Sequence, residues 1–267
     1  MITELLFTCL RFLPSTLRLR IYDYCWWLGI RLYGPTDFFV QRLPGNIYMK
    51  RGTKALQEAE AIRIVKARTS IPVPTVLDAL DGCFIMTRLP GEPLGNLFSE
   101  MEGEQLSAIQ NSLSSIIQQL RDITSDEKGV VSGPLHSLPC CDINRVDELA
   151  FGPFHDVAEF HEYLLSRTPP QYQISARAKA AKAYARPFQV VFTHGDLNLR
   201  NILVKDRQIT GIVDWTCAGW YPEYWEHGKA IYVHRRFKKW LDVWSNILPN
   251  YEDVLDVEKE MWKTCSF

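Results

Sequence analysis

No stretch of this 267-residue chain is apolar enough, for long enough, to cross a bilayer. The nearest candidate, residues 2–13, is interrupted by Glu4 and Arg11 and is followed by no small-residue cleavage site. It reads as a packed helix, not as a leader or an anchor, so stable membrane insertion is not expected. A surplus of charge is missing too. The 30 Lys and Arg against 31 Asp and Glu leave a net charge of −1, which removes any global electrostatic case for a nucleic-acid partner. The seven cysteines form no framework: Cys140-Cys141 is the close pair, and no C-x-x-C or Cys/His cluster has zinc spacing. Scattered thiols in odd number point to reduced, packed side chains and a cytoplasmic setting. What remains is an ordinary globular composition, 46% hydrophobic and 23% charged, in a length that suits one large or two modest domains.

Against that plain background one segment stands out, residues 190–215: VVFTHGDLNLRNILVKDRQITGIVDW. Val190, Val191 and Phe192 are β-prone and lead into His194-Gly195-Asp196. Four residues later Asn201 opens a second apolar run, and a polar turn at 205–208 returns the chain through Gly211-Ile212-Val213 to Asp214. A carboxylate on a loop, an amide shortly after it and a second carboxylate at the end of the next hairpin are the order of parts used in phosphoryl transfer. That chemistry needs one carboxylate beside the acceptor hydroxyl and oxygen ligands that hold Mg²⁺ on the nucleotide phosphates. Asp196 fits the first role, and Asn201 and Asp214 fit the second. Each acid taken alone reads equally well as a turn former or a cap. It is the joint spacing that carries the signal.

The run HGDLNLRNILV followed by GIVDW resembles the aminoglycoside phosphotransferase (APH) and choline-kinase-like family. The downstream AGWYPEYWEHGKA, residues 218–230, resembles its fungal branch. The similarity extends over nearly the whole chain. It implies an α+β, two-lobed protein-kinase-like fold. Residues 1–89 would form an N-terminal helical extension and a small antiparallel-sheet lobe with a helix, and residues 90–267 a larger, mostly helical lobe that carries catalysis and the acceptor site. The catalytic motif is specific to the superfamily and says little about which molecule is phosphorylated.

Taken in order, Leu17, Ile21, Tyr24, Leu28 and Leu32 recur at helical spacing and predict a helix that starts at Pro14-Ser15, stops at Gly34-Pro35 and packs through that stripe. Residues 36–51 predict a strand pair around Leu43-Pro44-Gly45. By position within the superfamily pattern, Lys50 on the second strand is the lysine presented to the α- and β-phosphates, with Lys54 a weaker candidate. No G-x-G-x-x-G loop precedes it. Residues 54–68 predict a helix on which Glu58 shares the inward face of Ala55, Ile62 and Val65, whereas Glu60 sits with Arg63, so Glu58 is the expected partner of Lys50. The prolines at 72 and 74 keep 71–77 extended, and Asp81-Gly82 turns into a strand over 83–88. The resemblance implies that backbone groups from about Met86 to Arg88 bind adenine before the crossover at Leu89-Pro90-Gly91.

The larger lobe is expected to begin after Pro93. Helices are predicted over 105–123, 151–165, 175–185 and 224–248. Family members build acceptor specificity around 140–154. Glu223 and Glu226, with Trp220 or Tyr221, are candidates to read a cationic acceptor, against the alternative that this Trp/Tyr-rich segment is a structural clamp. Relatives often carry Glu at the place of Thr216. The reading that follows is a Mg²⁺-dependent transfer of the γ-phosphoryl of ATP to a hydroxyl of a small molecule. A non-catalytic kinase-like binding module (a pseudokinase) is the main alternative. A protein kinase is disfavoured by H-G-D and by the lack of an A-P-E segment, and a scaffolding role has no positive support. Oligomeric state is not legible.

Overall fold

The structure, a computed structural model, describes residues 2–146, 148–248 and 251–264. In chain order the elements are α1 (Ile2–Leu10), α2 (Ser15–Tyr33), β1 (Val40–Leu43), β2 (Ile47–Arg51), α3 (Ala55–Arg68), β3 (Val76–Leu80), β4 (Cys83–Thr87), β5 (Glu92–Pro93), α4 (Gly103–Arg121), β6 (Cys140–Asp142), β7 (Glu148–Phe151), α5 (Val157–Ser166), α6 (Pro170–Ala183), β8 (Val190–Thr193), β9 (Ile202–Lys205), β10 (Gln208–Ile212), β11 (Gly219–Pro222), α7 (Trp225–Val233), α8 (Lys238–Ile247) and α9 (Glu252–Met261).

β1 to β4 form one antiparallel sheet in the order β1-β2-β4-β3, and α3 packs against it. The β1–β2 turn is tight because Gly45 and Asn46 both take positive φ, at +90° and +59°. Pairing sets Lys50 opposite Phe84 and Tyr48 opposite Met86, so the Lys-bearing strand lies directly beside the strand that leaves the lobe. On the other side α1 and α2 close a separate small core through Phe7, Tyr22, Leu43, Met49, Leu77 and Ile85.

The face that α2 buries differs from the predicted stripe. Leu17, Tyr24 and Leu32 are exposed, while Tyr22 and Gly29 are buried. The helix is apolar on several sides, with Trp26 and Trp27 adjacent, so periodicity could not choose among them. Two tertiary features choose instead. Gly29 lies so close to β1 that a Cβ there would sit 2.2 Å from the Arg42 carbonyl oxygen. Buried Asp78 on β3 takes Arg18 at 2.6 Å and the Tyr22 hydroxyl at 2.5 Å.

The larger lobe is helical around small sheets: β10-β9-β5, β8 with β11, and β6 with β7. α4 supplies the helix predicted over 105–123, with Ile109, Leu113, Ile116 and Leu120 buried against β8 and α8. Two predicted helices are corrected. Residues 151–156 are not helical: Gly152 at φ +68° and Pro153 break the chain, and Asp156 caps α5 by accepting the Glu159 N–H at 2.8 Å. The single helix expected over 224–248 is two, α7 and α8. The chain turns at 234–237, where the Trp240 indole N–H donates to the Ala230 carbonyl at 3.1 Å. A hydrophobic pattern that continues through a turn cannot report it, because both helices bury apolar residues in the same core.

Candidate active site

β8 delivers His194-Gly195-Asp196 to the base of the cleft. Gly195 has φ +76°, and a Cβ on it would lie 2.5 Å from the Cys217 carbonyl oxygen, so the position requires glycine for conformation and for space. The loop is held from below by Glu226, at the start of α7. Its carboxylate accepts backbone N–H groups from His194 at 2.8 Å, Gly195 at 3.0 Å and Leu197 at 3.3 Å. Burial pushes the Glu226 carboxyl up to about 7, with these three N–H groups pulling the other way. His194 is a strut. Its Nδ1 accepts the Asp196 N–H at 3.2 Å, and its Nε2–H donates to the Val213 carbonyl at 3.1 Å, which ties the two acid-bearing loops together. Burial lowers its pKa to about 4, so it stays neutral near pH 7.

Asp196 is itself buried, and desolvation raises its pKa to about 6 while nearby Lys229 opposes the rise. Asn201 donates its side-chain amide to the Asp196 carbonyl at 2.9 Å and to Asp196 Oδ2 at 3.1 Å. The Val213 N–H donates to the Asn201 carbonyl at 2.9 Å, so the amide and the second acid are linked through the backbone.

Asp214 follows β10 in the left-handed region, at φ +65°. Its Oδ1 accepts Lys50 Nζ at 2.8 Å. The same ammonium reaches Glu58 on α3 at 2.8 Å. The Thr216 hydroxyl lies 2.8 Å from Glu58 Oε2 and 2.9 Å from Asp214 Oδ1, and its single proton serves one of them at a time. Burial alone would lower the Lys50 pKa, but the two carboxylates hold it above its ordinary value. Burial raises the Glu58 carboxyl against the pull of Lys50, whereas Lys50 wins at Asp214 and holds it below the usual range. One ammonium between two carboxylates leaves a formal excess of one negative charge, which suits an incoming cation.

The structure thus brings together Lys50, Glu58 and Asp214 in one hydrogen-bonded set, and Asp196 with Asn201 in another. Met86 lies on β4 beyond Phe84, the cross-strand partner of Lys50, and Arg88 lies just past its end, where its N–H makes a long 3.4 Å bond to the Asn46 carbonyl. Lys54 turns to Gln57 at 3.2 Å and does not join the Lys50 set. Glu226 and Glu223, candidates to read a cationic acceptor, are engaged elsewhere: Glu226 by the loop backbone, Glu223 by the Tyr251 hydroxyl at 3.1 Å. Trp220 and Tyr221 are buried in β11.

Three participants carried no signal in the sequence. Asn144, between β6 and β7, donates its amide to Asp196 Oδ1 at 2.8 Å. Its turn is held by buried Asp142, whose Oδ1 accepts the N–H groups of Asn144, Arg145 and Val146. Asp142 also forms a fully buried ion pair with Lys229 of α7 at 2.7 Å. An Asx-type turn is visible in Asp142-Ile143-Asn144, but nothing local says that it meets Asp196, 52 residues further on.

The two lobes, with a Lys–Glu–Asp set at their junction and an Asp–Asn loop below, define a kinase-like phosphotransferase architecture. The phosphotransferase enzyme family (APH) model matches residues 34–249, and the chain belongs to that family. No match was found among curated proteins. Among solved structures, the fold is similar to a thermostable mutant of aminoglycoside phosphotransferase APH(4)-Ia in its apo form, with 13% identity over 83% of this chain and 79% of that one and a TM-score of 0.55. It is similar to macrolide 2'-phosphotransferase MphH from Brachybacterium faecium, with 16% identity over 84% and 78% and a TM-score of 0.52. It is also similar to a choline/ethanolamine kinase family protein from Mesorhizobium loti, with 15% identity over 86% and 75% and a TM-score of 0.52. Among the described residues no helix is long and apolar enough to cross a membrane.

Proposed function

We propose that this protein transfers the γ-phosphoryl group of ATP to a hydroxyl of a small molecule, with Mg²⁺ on the nucleotide. The observation that carries the reading is the Lys50 ammonium held at 2.8 Å by both Glu58 and Asp214, above a loop in which Asp196 and Asn201 are bonded to each other. A thermostable mutant of aminoglycoside phosphotransferase APH(4)-Ia, 14% identical to this chain with a TM-score of 0.52, forms a ternary complex with ADP and hygromycin B, which supports a nucleotide and a small acceptor in a fold of this shape. We take the lobe boundary at residues 89 and 90, and a cytoplasmic location in keeping with six free cysteines among the described residues.

Mg²⁺ fits the donor set. Asp214 Oδ2 and the Asn201 side-chain oxygen accept no hydrogen bond from the described residues, while their neighbouring atoms are fixed by Lys50 and Asp196. No cluster of three His, Cys, Asp or Glu lies among the described residues, so the ion would take its remaining oxygens from phosphate and water, as magnesium usually does. Bound there, it would neutralise charge on the β- and γ-phosphates. Lys50 would pass from Asp214 to the α- and β-phosphates and stay fixed by Glu58. Backbone groups at Met86 and Arg88 would meet the adenine. Asp196 would orient the acceptor hydroxyl. As the acceptor oxygen bonds to the γ-phosphorus and the bond to the ADP oxygen breaks, the hydroxyl proton would pass to Asp196.

Behind Asp196 the acids are engaged within the protein: Asp142 is paired with Lys229, and Glu226 is hydrogen-bonded by three backbone N–H groups. That arrangement suits a neutral hydroxyl compound better than a polycation. The test is calorimetry of Mg·ATP with wild type and Asp214→Ala, followed by an acceptor screen read as ADP release. Binding that needs both metal and Asp214, and turnover with neutral alcohols or sugars rather than polyamines, is the expected result. No binding at millimolar ATP would leave a recognition module on a kinase fold.

A further inference from the structure

Both carboxylate oxygens of Asp196 are occupied. Oδ2 takes the Asn201 amide at 3.1 Å and Oδ1 takes the Asn144 amide at 2.8 Å. The first contact lies within the catalytic loop. The second comes from the β6–β7 segment and has no part in the chemistry described above. Resting on the phosphotransfer reading, we propose that Asn144 is a positioning residue that occupies the acceptor's seat on Asp196 and withholds that carboxylate from water until an acceptor hydroxyl displaces the amide.

Three features of the fold favour this. The acceptor must donate its hydroxyl proton to an Asp196 oxygen, and Asn201 already spans Oδ2 and the Asp196 carbonyl, so Oδ1 is the oxygen left to offer. Asn144 is not an accidental neighbour. Its backbone is fixed by Asp142, whose second oxygen is locked to Lys229 in a pair with no solvent exposure at either end, and Arg145 next to it is anchored on Glu258 of α9. The amide is therefore carried on a rigid turn, while its side chain has only two torsions to swing aside. The site also has a problem that such a residue solves. A γ-phosphoryl group held in line with an oriented carboxylate will accept water as readily as an alcohol unless water is kept off that carboxylate. Asn144 makes a hydrogen bond that an acceptor hydroxyl replaces one for one. A loose water would have to do the same without the binding contacts that hold a substrate.

The consequence is specific. Emptying the space that the amide fills should increase wasteful hydrolysis, whereas damage to the fold would decrease it. With Mg·ATP and no acceptor, at pH 8, Asn144→Ala is expected to release ADP about tenfold faster than wild type, with unchanged affinity for Mg·ATP by calorimetry. Asn144→Leu, which refills the space without a donor, should stay near the wild-type rate. Asp196→Asn added to Asn144→Ala should abolish the gain. A second readout needs no nucleotide. The Asn144 side-chain amide protons, assigned by their loss in Asn144→Ala, should exchange slowly with solvent in wild type and become fast in Asp196→Ala. Normal Mg·ATP binding with unchanged or slower hydrolysis in Asn144→Ala overturns the proposal and leaves the phosphotransfer reading standing. Amide exchange that ignores Asp196→Ala overturns it as well. Failure of wild type to bind Mg·ATP overturns the phosphotransfer reading, and the proposal with it.

Discussion

At the scale of single residues the site divides labour between two carboxylates of the same chemical type. Asp214 is held ionised by Lys50, and Asp196 is pushed up to about 6 by burial. The first is suited to holding cations and the second to exchanging a proton. Replacing Asp196 by Asn should lower turnover by about 10²–10⁴-fold while leaving Mg·ATP affinity within about twofold, because in the proposed mechanism the side chain acts on the acceptor and not on the nucleotide. Equal loss of affinity in Asp196→Asn and Asp214→Ala would contradict the assignment. The raised pKa also sets a direction in pH. Asp196 must be unprotonated to take a proton, so the rate under saturating substrates should fall as pH drops through about 6, and a rate flat between pH 5 and 8 would show that another group limits. The motif residues were legible because they fall within a short span, from His194 to Asp214, where local spacing reflects local geometry. Glu58 was legible because helical periodicity placed it on the buried face. Asn144 was not, because its partner is distant in sequence and its residue type is ordinary in a turn.

Among elements, the informative piece is the start of α7. Glu226 was one candidate to read a cationic acceptor, against the alternative of a structural role, and it fixes the H-G-D loop from beneath. A carboxylate that accepts three N–H groups cannot be replaced by an amide without loss, because Gln would turn its NH₂ toward one of them. Glu226→Gln should destabilise the protein by about 1–3 kcal/mol and reduce turnover, as read from denaturant midpoints and ADP release. Full stability in that variant would mean that the loop is held by other contacts. The same helix carries Lys229 to Asp142, so α7 supports the catalytic loop and the β6–β7 turn at once. The N-terminal elements show the limits of pattern. α2 was legible as a helix, with its stop at Gly34, yet the buried side was decided by Gly29 against β1 and by Asp78.

For the whole molecule, one hydrophobic core runs from α3 and β4 into the larger lobe, and the Lys50 ammonium with its two carboxylates lies across the same junction, so ligation should be felt globally. Mg·ATP at about a hundred times its dissociation constant should add about 2.7 kcal/mol of stability. In a chain of this size that corresponds to a rise in Tm of roughly 5–10 °C. EDTA should cancel the rise, and so should Asp214→Ala. A shift that persists in EDTA would place the nucleotide somewhere that does not use the metal ligands. Pairing of the buried acids is likewise a property of the assembled lobe, since Lys229 and Arg145 reach Asp142 and Glu258 only after the helices have packed.

The fold class rested on the family resemblance, while the sequence by itself determined the strands around the H-G-D loop, the order of Asp196, Asn201 and Asp214 along it, and the Lys50–Glu58 partnership. Each is written in local order: strands by alternation and turn residues, the α3 face by period, the loop by spacing. Tertiary structure alone decided which side of α2 is buried, where the 224–248 segment breaks, what Glu226 does and how Asn144 comes to lie on Asp196. Those outcomes depend on burial and on hydrogen bonds between segments far apart in the chain. A buried polar group must find a partner wherever the packing provides one, and spacing along the chain carries no record of that choice.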